Sequence, residues 1–107
     1  MRTQEIPLSG ELEEQFVLAA LESACSETGL TLALKSRLQS YPGSTHLHYK
    51  RACAHGVLEI TYWPQKKRAW FSVHENRESY WIDELLPKLA SRIQAGLEIA
   101  EGLENEN

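Results

Sequence analysis

Cysteine is scarce in this chain, with only Cys25 and Cys53 among 107 residues, too few for a disulfide scaffold. Long apolar runs are missing as well: nothing approaches the roughly 18 residues a membrane span needs. The opening MRTQEIPLSG lacks the apolar core of a secretory signal, so the expectation is a cytoplasmic chain with no membrane partner. There is no glycine-rich phosphate loop, Gly10 and Gly56 standing isolated, and no internal repeat or low-complexity linker. An excess of positive charge is also absent. Eleven basic against 15 acidic residues give a net charge of −4, which on its face argues against a nucleic-acid partner. What is present is an ordinary globular mixture, 42% hydrophobic and 24% charged. A chain of this length buries roughly two-thirds of its extended surface, enough for one core. One domain is therefore expected over 1–107, ordered from about 9 to 101, with a polar tail over 102–107.

The net charge hides a segregation. Residues 1–29 hold one basic residue against six acidic, and residues 78–107 two against seven. Residues 30–77 reverse this with eight basic against two acidic, and hold all four histidines. Such asymmetry carries information about partners that the sum does not.

Ser9 precedes an acidic turn (Glu11, Glu13, Glu14), the pattern of a capped helix start. Phe16, Val17, Ala20, Leu21 and Ala24 then recur at helical spacing, and Gly29 is placed to stop the helix, so a helix is predicted over 10–28. From Leu30 the period becomes two. Alternating stretches near 30–35, 44–51, 58–63 and 68–74 read as half-buried strands, separated by Pro42-Gly43, the loop 52–56 and the turn 64–67. Ser79 suits the cap of a last helix carrying the stripe Ile82, Leu85, Leu86, Leu89, Ile93, Leu97 and Ala100. Pro87 interrupts it and predicts either a kink or a short turn leading in.

The order α-β-β-β-β-α, with one apolar face per element, predicts an α+β two-layer sandwich: a four-stranded antiparallel meander with both helices on one face. The other face would be open. Turn centres near 42–43, 54 and 65–66 set its cross-strand rows as Arg37–His48–Glu59–Ser72, Lys35–Lys50–Val57–His74 and Gln39–His46–Thr61–Trp70. A shift of one residue would turn a whole strand over.

The candidate site is this face. Lys35, Arg37, Lys50 and Arg68 attract phosphate, while Trp63 and Trp70 can stack on bases. His46, His48, Glu59 and His74 complete the list. The first expectation is a non-enzymatic binding module for nucleic acid or another anionic macromolecule. The alternative is a homodimer paired through the same face about a two-fold axis. The third is a metal site, or a metal-assisted enzyme, at His46-x-His48, whose rings project to one side of a strand and to which Glu59 or His74 would add ligands. Ser72, His48 and Glu59 supply the residue types of a hydrolytic triad, but without a nucleophile turn they assign no catalytic residue. The sequence assigns no cofactor.

Overall fold

A computed structural model describes residues 1–8 and 11–105. Five strands and two helices form an α+β fold. They are β1 (Arg2–Ile6), α1 (Glu14–Glu27), β2 (Leu30–Ser36), β3 (Thr45–Arg51), β4 (Leu58–Trp63), β5 (Arg68–Val73) and α2 (Tyr80–Asn105). The sheet order is β1-β5-β4-β3-β2, with every neighbouring pair antiparallel.

The fifth strand corrects the expected four. The stretch RTQEI offers no apolar alternation, because it lies at the sheet edge and buries only Ile6. Pairing holds it in place, Thr3 opposite Ser72 and Glu5 opposite Trp70. The Arg2 guanidinium adds a fork to Glu78 at 2.8 Å and a contact to Asp83, and it holds the Glu78 carboxyl below its ordinary range.

The expected cap Ser9 and its neighbour Gly10 lie outside the described residues. The first helix begins at Glu14, four residues later than the spacing predicts, and buries Val17, Leu21, Ala24 and Cys25 while Phe16 stays exposed. Gly29 ends it at φ 84°, a conformation that glycine takes without a steric cost. The stripe of α2 goes down as its spacing predicts: Ile82, Leu86, Leu89, Ile93 and Leu97 are buried, joined by Trp81. Against them lie Leu47, Tyr49, Leu58, Ile60, Tyr62, Phe71 and Val73 of the sheet. Fully burying one such aliphatic side chain is worth about 1.5–3 kcal/mol, so this layer is the main source of stability.

The helix runs through Pro87. A short 3-10 turn, Glu75–Arg77, precedes it, and the proline sits on its exposed side, where water can serve the carbonyl the proline cannot. Helix persists to Asn105, into the expected polar tail, whose last two residues lie outside the described residues. Among the described residues no helix is long and apolar enough to cross a membrane.

Cys25 is buried, and burial pushes its thiol up to about 12, partly opposed by a hydrogen bond with Tyr49. Cys53 is exposed in a turn at φ 60°. A thiol reagent at pH 8 is therefore expected to label one cysteine per folded chain and both after unfolding, because the thiolate is the reactive form. Equal labelling rates for the two in the folded protein would contradict this packing.

Candidate metal centre

The three central strands keep the predicted rows. His48 stands opposite Glu59, which stands opposite Ser72; His46 stands opposite Thr61, which stands opposite Trp70. At β2 the rows break. A bulge between Leu32 and Leu34 inserts one residue and reverses the alternation. Leu34 therefore takes the place beside His48 and Ser36 the place beside His46. Lys35 turns to the helix side, opposite Leu47, and its Nζ lies 2.8 Å from Glu22 of α1. Arg37 is exposed beyond the strand end. These two basic residues do not join the histidines. Lys50 keeps to the histidine face, exposed and opposite Thr31.

The aromatic half of this face is covered rather than open. Tyr41 presents its ring edgewise to Trp63 and Trp70 at centroid distances of 4.9 and 5.2 Å. The Trp63 indole N–H donates to the Pro42 carbonyl at 2.9 Å. Trp70 is 8% exposed, with the Arg68 guanidinium 4.8 Å above its ring. Arg68 is in turn paired with Glu5 of β1. The turn holding Tyr41 folds back over the rings, and the edge strand brings a carboxylate to the arginine. Trp70 is thereby buried, while Trp63 stays partly exposed.

The histidine half is a different environment. His46 and Glu59 are buried, at 7% and 3% exposure, on a face expected to be open. Their reactive atoms converge. His46 Nε2 lies 2.9 Å from Glu59 Oε1 and 3.1 Å from His48 Nε2, and His48 Nε2 lies 3.5 Å from the same carboxylate oxygen. The other His46 nitrogen, Nδ1, is 2.8 Å from the Thr61 hydroxyl. The other carboxylate oxygen of Glu59 is buried without a hydrogen bond, although His74 Nε2 stands 3.3 Å and Arg77 3.8 Å away. Burial lowers the His48 pKa; Glu59 pulls it back up, while His46, Arg77 and His74 add to the lowering.

The spacing has a chemical meaning. Zinc binds histidine nitrogen and carboxylate oxygen at about 2.0–2.2 Å, so tetrahedral ligand atoms stand roughly 3.3 Å apart. Separations of 2.9, 3.1 and 3.5 Å lie around that spacing, the two shorter ones at hydrogen-bond length, so a bound ion would spread them slightly. A proton on His46 Nδ1, given to Thr61, would leave Nε2 free to ligate, the arrangement outer partners impose on metal-binding histidines. Two histidines and one carboxylate leave a coordination position open, and a metal there can polarise a bound oxygen or lower the pKa of a bound water.

Above the cluster lies a trough of about 510 Å³ walled by Leu34, Leu38, His74 and Arg77. It continues past His48 and Arg77 into a second compartment of about 530 Å³ beside Lys50, His55 and Gly56. Arg77 and Tyr41 are the participants that the sequence pattern does not select, whereas Thr61 stands beside His46 as the predicted row has it. Arg77 had one signal: the link from the last strand to the cap of the last helix is too short to leave the end of the sheet. Comparisons with protein-family models, with curated proteins and with solved structures find no match to this chain.

Proposed function

We propose that the protein binds one divalent transition-metal ion through His46, His48 and Glu59. The observation that carries the proposal is the convergence of His46 Nε2, His48 Nε2 and Glu59 Oε1 close to tetrahedral separations, with a buried carboxylate oxygen beside them that has no hydrogen bond. A buried carboxylate oxygen without a hydrogen bond is costly; His74 and Arg77 at 3.3 and 3.8 Å offset part of that cost, and a cation bound at the carboxylate would offset more. The same donor set suits zinc and non-haem iron(II). The reading takes precedence over a nucleic-acid platform because Trp70 is buried beside Tyr41 and Arg68, and because Arg68 and Lys35 are already paired with Glu5 and Glu22.

The test is metal analysis of protein purified without an affinity tag, stripped with chelator, offered equimolar zinc and passed through gel filtration. About one zinc per chain should remain, and excess zinc at about 100 times Kd should add about 2.7 kcal/mol of stability. The double variant His46→Ala, His48→Ala should retain none. Zinc lost by the wild type, or held equally by the double variant, would sink the proposal.

A further inference from the structure

The metal reading leaves one feature unused: the trough above the cluster is lined almost entirely by cationic and neutral groups. Arg77, Lys50, His55 and His74 line its two compartments, and among the described residues Glu59 is their sole carboxylate. Glu59 is already engaged with the histidines at the floor. A divalent ion on that floor would raise the positive charge further. A depression lined by one sign of charge concentrates ligands of the other.

Arg77 is the group placed to select among them. Its backbone is fixed on both sides, its N–H donating to the His74 carbonyl at 2.9 Å and its own carbonyl accepting from Val57 at 3.1 Å. Its side chain is free by comparison. Among the described residues its ion pair is with Glu59 at 3.8 Å, longer than a hydrogen bond, and 42% of the side chain is exposed. A guanidinium held at the rim of a charged depression with its donors unspent suits a planar or tetrahedral oxyanion, which it can grip with two N–H groups.

Resting on the metal reading, we propose that the open coordination position takes a small oxyanion, the phosphate or carboxylate group of a small molecule, with one oxygen on the metal and another on Arg77. The walls supply its shape. Leu34 and Leu38 offer an apolar side to the body of the ligand, and Lys50 lies in the second compartment, where a further negative group would reach it.

The experiment uses the full chain loaded with cobalt(II), whose visible absorption reports changes in its ligands. Inorganic phosphate, acetate and neutral glycerol are titrated separately. Phosphate or acetate should change the spectrum to saturation, glycerol should not, and the more effective anion identifies the group the site prefers. Arg77→Gln should weaken the anion about tenfold or more with cobalt uptake unchanged, since it removes a charge-assisted fork. Arg77→Lys, which keeps the charge and loses the fork, should fall between and guards against a folding defect in the first variant. Cobalt bound one to one with no anion response, or with the same response in both Arg77 variants, overturns the inference and spares the metal centre. Failure to retain cobalt overturns both.

Discussion

Replacing Glu59 by Gln is expected to weaken zinc binding by more than about 100-fold, since even outer partners of a metal ligand typically cost 10–100-fold. The same substitution should leave the metal-free fold at least as stable as the wild type at pH 8. The two effects have different origins. Zinc loses a charged oxygen donor and keeps two imidazoles, so affinity falls steeply. Without metal, the wild-type chain carries a carboxylate at 3% exposure with one oxygen unbonded. An unsatisfied buried polar atom costs about 1–3 kcal/mol, and more where it is charged. Burial lowers the His48 pKa, so at pH 8 that ring repays little of the cost by charge. An amide of the same shape removes the burden, and a gain of up to about 1 kcal/mol is expected in urea unfolding with chelator present. A Glu59 whose role is to hold the histidines and Arg77 together would behave in the opposite way. The metal-free variant would lose 2 kcal/mol or more, by roughly the cost of breaking a buried network, and zinc uptake would barely change. Separate measurement of the two quantities decides between a site and a strut.

Such a conflict between local stability and ligand binding is common where a fold carries function. Here it lies on an otherwise conventional frame. The helix stripes were readable because apolar residues at 3.6 spacing have one way to be buried, and Ile82 through Leu97 follow it. The pairing of His48 with Glu59 was readable because the centres of the loop 52–56 and the turn 64–67 set the register of β3, β4 and β5. Three features were not. The edge strand β1 buries a single side chain, so its pairing leaves almost no trace in hydropathy. The bulge after Leu32 turns on one residue in an alternating run, and no glycine or proline marks it; it carried Lys35 to the helix side and put Leu34 over the trough. Tyr41 covers the tryptophans from a turn that looked like a plain reversal at Pro42-Gly43. The metal cluster falls between these cases. Its members were named together, but His46 was placed on an open surface. Around it stand Leu34, Leu38 and Arg77, whose positions come from loops and irregularities rather than from period.

Substitution of Gly56 by Ala should test how the trough is held open, and its expected cost is large: about 2–3 kcal/mol, the scale of backbone strain joined to a steric clash. Gly56 sits at φ 110°, which residues with a β-carbon rarely adopt, and it is buried. An added Cβ would come 2.6 Å from the Ser79 β-carbon and 3.0 Å from the Arg77 carbonyl oxygen. Neither neighbour is the free end of a long side chain, so backbones must separate. The separation would strain two bonds that tie the 52–57 loop to the start of α2, Val57 N–H to the Arg77 carbonyl at 3.1 Å and the Trp81 indole to the His55 carbonyl at 2.8 Å. For a domain of this size, 2–3 kcal/mol corresponds to a fall in Tm of roughly 10–20 °C. Gly102→Ala is the natural control: nothing lies within 4 Å of the new methyl in the last turns of α2, so a gain of up to about 1 kcal/mol is expected. The loop variant also separates the floor of the trough from its rim. His46, His48 and Glu59 stand on paired strands and should still take zinc once the chain is folded. Arg77, whose backbone the loop pins, should lose its hold on phosphate. If Gly56→Ala stays within about 0.5 kcal/mol of the wild type, the usual range of a neutral surface change, the loop is not pinned as its contacts imply. If stability falls but phosphate binds as before, Arg77 does not depend on this clamp for its position.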